Sequence, residues 1–216
     1  TGSSLSMVSR AVALDLGLQL QPKTSTLVGV AGATTWVGTT LPEVRLGRFT
    51  VRQQAVAVGV KGIPSHVGLV PLDGILGNDV LQHFQVQIDY PGQRLTISRP
   101  GTADETEQTV PLFFDGQHPK VQVQLTARNP EGRTVHQPAL LDIDTGATGL
   151  LLMGPSTRGL KDVAVQGSSS LSGVGSSDPV SISARSVPVV SAQFGGQRVE
   201  RKVDAKWIGA ERSPHR

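Results

Sequence analysis

The 216-residue chain contains no cysteine, which removes thiol catalysis, disulfide cross-links and cysteine-based zinc sites from consideration. Aromatic residues make up only 4% of it, a thin supply for the sugar-stacking surfaces that usually surround the paired carboxylates of glycosidases. No apolar run approaches the ~18 residues that a membrane-spanning helix requires. Net charge is +3, but Lys and Arg are scattered without a run, the pattern of a solvated surface rather than a nucleic-acid stripe. The five histidines (His66, His83, His118, His136 and His215) show no metal-ligand spacing, and the Gly-x-Ser-x-Gly of serine hydrolases is missing.

What is present favours β structure. Val, Thr and Ser are plentiful beside 25 Gly and 14 Pro, and helix-favouring stretches are few, so the expectation is an all-β chain of short strands and turns. The length suits one large β domain or two small lobes, and either can bury a core. One stretch organises the rest: Pro138-Ala-Leu-Leu-Asp-Ile-Asp-Thr-Gly-Ala-Thr-Gly-Leu-Leu-Leu-Met153. A carboxylate among aliphatic side chains is costly to bury without compensating hydrogen bonds. The stretch therefore reads as a strand delivering Asp144 to a turn, with a second strand leaving it and Gly146 permitting the close backbone. As structure alone, the same residues make an ordinary Asx turn. Asp142 lies two residues earlier and would share a strand face with Asp144; the following Thr145-Gly146 favours Asp144.

The chain opens on a related pattern, Thr1-Gly2-Ser3-Ser4-Leu5-Ser6-Met7-Val8, which lies 144 residues before Thr145. At the same offset Thr26-Leu-Val-Gly-Val30 falls on Ser170-Leu-Ser-Gly-Val174 without a gap, which points to a duplicated unit. Asp144-Thr-Gly-Ala147 followed by an apolar strand and a glycine-rich hairpin, with Asp73-Gly-Ile-Leu-Gly-Asn-Asp-Val-Leu81 and Phe84-Gln-Val-Gln-Ile-Asp-Tyr-Pro-Gly-Gln-Arg-Leu-Thr-Ile97, resembles the aspartic peptidases, and more closely their retropepsin-like branch.

The resemblance implies two β-barrel lobes related by a pseudo-two-fold axis, with few short helices. Residues 1–100 would form the first lobe, the polar and acidic residues 101–109 a linker, and residues 110–216 the second lobe. In the first lobe Ser9 would cap a short helix ending at Gly17, and residues 27–37 would form a hairpin. Residues 44–49 and 51–58 would be two further strands. Gly77 would lie where a neighbouring backbone leaves no room for a Cβ, and Asp79 would cap the helix that follows. In the second lobe, 110–114 and 121–125 would be strands, Asn129-Pro-Glu-Gly132 a hairpin turn, and 180–190 and 199–208 further strands. The glycine- and serine-rich residues 167–178 lack the strand, helix and lysine of a phosphate loop and fall at the repeat offset of the first hairpin.

By resemblance the chemistry is peptide-bond hydrolysis by water activated between two carboxylates, one per lobe. Asp144, Thr145 and Gly146 would form one catalytic turn, and Thr1 and Gly2 would belong to the other. The hairpin tips Gly29, Val30, Ala31 and Gly32, and Gly173, Val174 and Gly175, would be flaps closing over a peptide, with Trp36 nearby. The bland reading of the first is a plain surface hairpin. The resemblance implies no cofactor and no metal, a peptide or protein substrate, and lobes that pair within one chain or, alternatively, a homodimer. It further implies a bacterial periplasmic or secreted setting. The acid that should precede Thr1 is outside the sequence, and the equivalent of Ile75-Leu76-Gly77 falls beyond Arg216. The chain thus reads as an excised piece of a longer protein with an incomplete second lobe. The competing expectation is a protease-like module that holds peptides without cutting them.

Overall fold

The computed structural model describes residues 1–29, 32–59, 66–67, 70–101, 109–147, 149–173, 176–200 and 203–207. Residues 102–108 of the expected linker, and Val30, Ala31, Val174 and Gly175 of the expected flaps, lie outside them. The described chain is all-β, with only three short helical segments. It divides into two compact units. One comprises Thr1–Glu107 with two short pieces, Gly116–His118 and Ser172–Pro179; the remainder forms the other.

In the first unit the strands are β1 (Met7–Val8), β2 (Thr24–Gly29), β3 (Gly32–Leu46), β4 (Phe49–Gly59), β5 (His66–Val67), β6 (Val70–Pro71), β7 (Gly74–Ile75), β8 (Gln85–Asp89) and β9 (Arg94–Ser98). Five of them make one sheet in the order β2-β3-β4-β1-β7. β1 is its pivot, pairing in parallel with β4 (Met7 opposite Ala57) and antiparallel with β7 (Met7 opposite Ile75). Helix α1 (Arg10–Asp15) begins where expected, because the Ser9 hydroxyl accepts the Val12 N–H at 3.2 Å, and Gly17 takes a left-handed φ of 62° after its end. Its Ala13 packs with Val37 and Val58 in a small core flanked by Val8, Leu18 and Leu20.

The expected hairpin forms, with Gly29 opposite Gly32 and Val28 opposite Ala33. Its return strand does not stop, however. β3 runs 15 residues to Leu46, so residues 44–46 continue it rather than starting a separate strand. Gly47 (φ 58°) and Arg48 then turn the chain, and Leu46 pairs with Phe49. Pro42, which has no N–H to donate, does not end the strand, because the ladder resumes on both sides of it at Leu41 opposite Gln54 and Glu43 opposite Arg52.

The remaining strands, which fall in the second unit apart from His118 and the adjoining ends of β14 and β15, are β10 (Leu112–Asp115), β11 (His118–Arg128), β12 (Thr134–Asp142), β13 (Leu151–Leu152), β14 (Val165–Gly173), β15 (Ser176–Phe194), β16 (Gln197–Val199) and β17 (Val203–Trp207), with a 3-10 helix over Pro155–Val163. They form one eight-stranded sheet, in which β11 carries both β12 and β15. The β11–β12 turn is built as its residues demand. The Asn129 side chain accepts the Arg133 N–H at 2.8 Å, and Gly132 supplies a φ of 87°. The core gathers alternate residues of β11 (Val123, Leu125, Ala127) with Leu152, Leu160, Val163, Val187, Val189 and Ala205. β13 pairs in parallel with β17, Leu151 opposite Lys206 and Leu152 opposite Trp207.

Candidate functional site

The Thr1–Ser6 turn is held by the segment Gly77–Asp79. Helix α2 (Asn78–Leu81) has no side-chain cap, and Gly77 stands at its N-cap position. Its first N–H groups have no partners within the helix, and they donate to the carbonyls of the turn: Asn78 to Ser3 at 2.9 Å and Asp79 to Ser4 at 3.2 Å. The Asn78 amide nitrogen donates to the Thr1 carbonyl at 2.5 Å. Gly77 donates its own N–H to Ser6 Oγ at 3.0 Å. A Cβ on Gly77 would lie 2.6 Å from Leu5 O and 2.7 Å from Ser6 N, which is why this position has none. Gly74 is crowded in the same way by the Met7 carbonyl.

Asp79 departs from expectation. It does not cap α2. Its carboxylate accepts the Ser6 N–H at 2.9 Å, the Ser6 hydroxyl at 2.6 Å and the Gln54 amide at 3.0 Å. The helix N–H groups that a cap would satisfy are already taken by Ser3 and Ser4, so the carboxylate is free to serve the strand instead. Ser6 is buried, and Asp79 gives its backbone N–H and its hydroxyl proton an acceptor. The signal for this role was the Asp itself, two residues past a glycine at the N-cap position.

The Asp144 turn is built differently. β12 ends at Asp142, and one more backbone bond, Ile143 N–H to Pro119 O at 2.9 Å, carries the chain to its edge. Asp144 is therefore in a loop and not on the strand, so the shared strand face expected for Asp142 and Asp144 does not arise. Nor is Asp144 buried among aliphatics: Asp144, Thr145 and Gly146 are all exposed, as are Leu140 and Ile143. Strand β12 alternates, and Leu140 falls on its open side. The carboxylate is oriented by its own turn, where Oδ1 accepts the Gly146 N–H at 2.9 Å and the Asp144 carbonyl accepts Ala147 N–H at 3.2 Å. This is the local Asx geometry that the residues allow. Asp142 is engaged elsewhere, 2.8 Å from Lys120 Nζ.

Of the expected flap residues, Gly29 closes β2 and Gly32 opens β3 with a φ of 131°, while Gly173 closes β14, which pairs with β15. Trp36 is half-buried on β3, opposite Ser25 and Gly59, so its ring sits between the two readings of the hairpin. Thr1 and Gly2 lead into the turn before β1. Among the described residues no group of three or more His, Asp or Glu is arranged to hold a metal. An exposed, oriented carboxylate such as Asp144 can take or give one proton, but cannot do both in the same step.

The family model of an aspartyl protease matches residues 1–80. That span contains the Thr1–Ser6 turn, the β2–β3 hairpin and the Gly77–Asp79 support, and ends before Asp144. No curated protein matches the chain.

Proposed function

We propose that this chain carries the catalytic lobes of an aspartic-type endopeptidase, retropepsin-like in each half and bilobal like pepsin. The observation that carries the reading is a shared order of elements. After each Thr-Gly, the chain makes a two-residue strand, a short helical segment and a hairpin whose second strand is long. In each unit the two-residue strand pairs in parallel with a later one. Leu151 and Leu152 follow Met7 and Val8 by the 144 residues that separate Thr145 from Thr1. The aspartyl protease match to residues 1–80 supports the same reading from the other direction.

In this mechanism Asp144 is one of two acids, and the residue preceding Thr1 in the full protein supplies the other. Two carboxylates held close retain a single proton between them, and they titrate as a pair. The ionised one takes a proton from water as the water oxygen bonds to the scissile carbonyl carbon. The protonated one gives its proton to the carbonyl oxygen. Collapse of the resulting diol, with a proton passed to the amide nitrogen, breaks the C–N bond and leaves an acid and an amine. Thr145 and Gly146, with Thr1 and Gly2, shape the two turns. The hairpins ending at Gly29–Gly32 and near Gly173 cover an extended peptide substrate, with cleavage favoured between apolar residues.

The test is cleavage of labelled casein by the full-length protein and its Asp144→Asn variant. The variant should fold normally and lose at least about a thousandfold in rate, and a statine-type transition-state analogue should inhibit the parent. Undiminished cleavage by Asp144→Asn would remove Asp144 from the chemistry. A residue other than Asp before Thr1, together with peptide binding without cleavage, would make the protein a non-cutting peptide-binding module instead.

A further inference from the structure

The approach to Asp144 ends in a cluster of charges that the proposed chemistry does not use. Lys120 and Asp142 are directly opposed as the last pair of the β11–β12 ladder. Lys120 Nζ lies 2.8 Å from Asp142 Oδ1 and 3.8 Å from Asp115 Oδ2, so it faces carboxylates on the strands to either side of its own. Its side chain is only 19% exposed, against 53% for Asp142 and 82% for Asp115. An ammonium so far withdrawn from water needs both acids, and the pair is less screened than an ordinary surface ion pair.

The position of this cluster gives it a consequence for the site. Beyond Asp142 the Ile143–Pro119 backbone bond ties β12 to β11 once more, and after that the chain leaves for the turn. The turn's own hydrogen bonds, from Gly146 and Ala147 back to Asp144, are internal to it. The side chain that fixes the end of the strand presenting Asp144 is Asp142, through Lys120. The same ion pair engages the other acid within two residues of Asp144. An Asp142 without its cation would leave a second carboxylate free to compete for substrate water or to repel the working one.

We infer that Lys120 is a positioning residue for the proposed hydrolysis: by clamping Asp142 at the end of the β11–β12 ladder it aims the Asp144 turn and keeps Asp142 out of the chemistry. This rests on the endopeptidase reading above. The experiment measures kcat and KM of the full-length protein on labelled casein for Lys120→Met, Asp142→Asn, the double variant and Lys120→Arg, with thermal unfolding of each. Lys120→Met and Asp142→Asn should each lower kcat about fivefold with KM little changed, since a small misaim costs rate rather than binding. The double variant should lose no more than either single one, because both break the same contact. Lys120→Arg, which keeps the charge between Asp115 and Asp142, should retain more than half of the rate. Unchanged kcat in both single variants, or losses that multiply in the double, would overturn the inference while leaving Asp144 as the acid. Complete loss in Asp142→Asn would overturn it too, by making Asp142 the catalytic group. Because Asp142 is half-exposed, its variant should fold even if Lys120→Met does not. Retained cleavage by Asp144→Asn, by contrast, would bring down the endopeptidase reading itself.

Discussion

The turn before β1 and the turn after β12 share a Thr-Gly pair and lead into two-residue strands, yet they are fastened by different means. The first is tied to residues more than 70 positions away in sequence. Asn78 and Asp79 donate backbone N–H groups to Ser3 and Ser4, Asn78 reaches Thr1, and Asp79 accepts from Ser6. The second is tied, in its described bonds, to itself and to the end of its own hairpin, through Gly146, Ala147 and the Ile143–Pro119 bond. A turn held by distant partners opens only when those partners separate, whereas a turn held by itself can open alone. The first should therefore be an integral part of its unit's stability, and the second should contribute little to it.

Substituting the glycines is the strongest way to break that comparison. Gly77→Ala would drive a Cβ into the Leu5–Ser6 backbone, which cannot swing aside as a side chain can. It should cost about 3 kcal/mol, read from urea unfolding of the full-length protein. Asp79→Ala comes next. It strips the buried Ser6 N–H and hydroxyl of their acceptor and should cost about 2 kcal/mol in the same measurement. Gly146→Ala should lie at the other end, within about 0.5 kcal/mol of the parent. Among the described residues, the only atom that its Cβ would meet closely is Asp144 Oδ1 at 3.3 Å, and its φ is not left-handed. A Gly146→Ala loss as large as that of Gly77→Ala would show that the second turn is locked as firmly as the first.

Much of the local structure was legible because it depends on neighbours in sequence. Ser9 is three residues from the N–H it caps, Gly17 ends the same helix, and Asn129 and Gly132 make the β11–β12 turn between them. Glycines and turn residues also placed the β2–β3 hairpin. Where prediction failed, the deciding partner was far away. Asp79 reads as a helix cap until the turn carbonyls of Ser3 and Ser4 are seen to occupy the helix N–H groups. Residues 44–46 read as a separate strand until β4 is seen to pair with β3 from Trp36 through to Leu46, interrupted only at Pro42. The apolar run before Asp144 reads as buried, but it alternates across β12, and Leu140 and Ile143 are exposed. An apolar count along the chain does not say which side of a sheet is covered.

Composition and residue order alone determined that this chain would be all-β, where its short helix and tight turns would begin and end, and that Asp144-Thr145-Gly146 would form a turn. All of these follow from backbone preferences and hydrogen bonds spanning a few residues. Only the tertiary structure decided that Asp79 would serve Ser6 rather than cap its own helix, and that Lys120 would claim Asp142 while Asp144 stood in the open. Those outcomes depend on which strands come to lie side by side and in which register. A shift of one residue along β11 would place a different side chain opposite Asp142, with no change in any local preference.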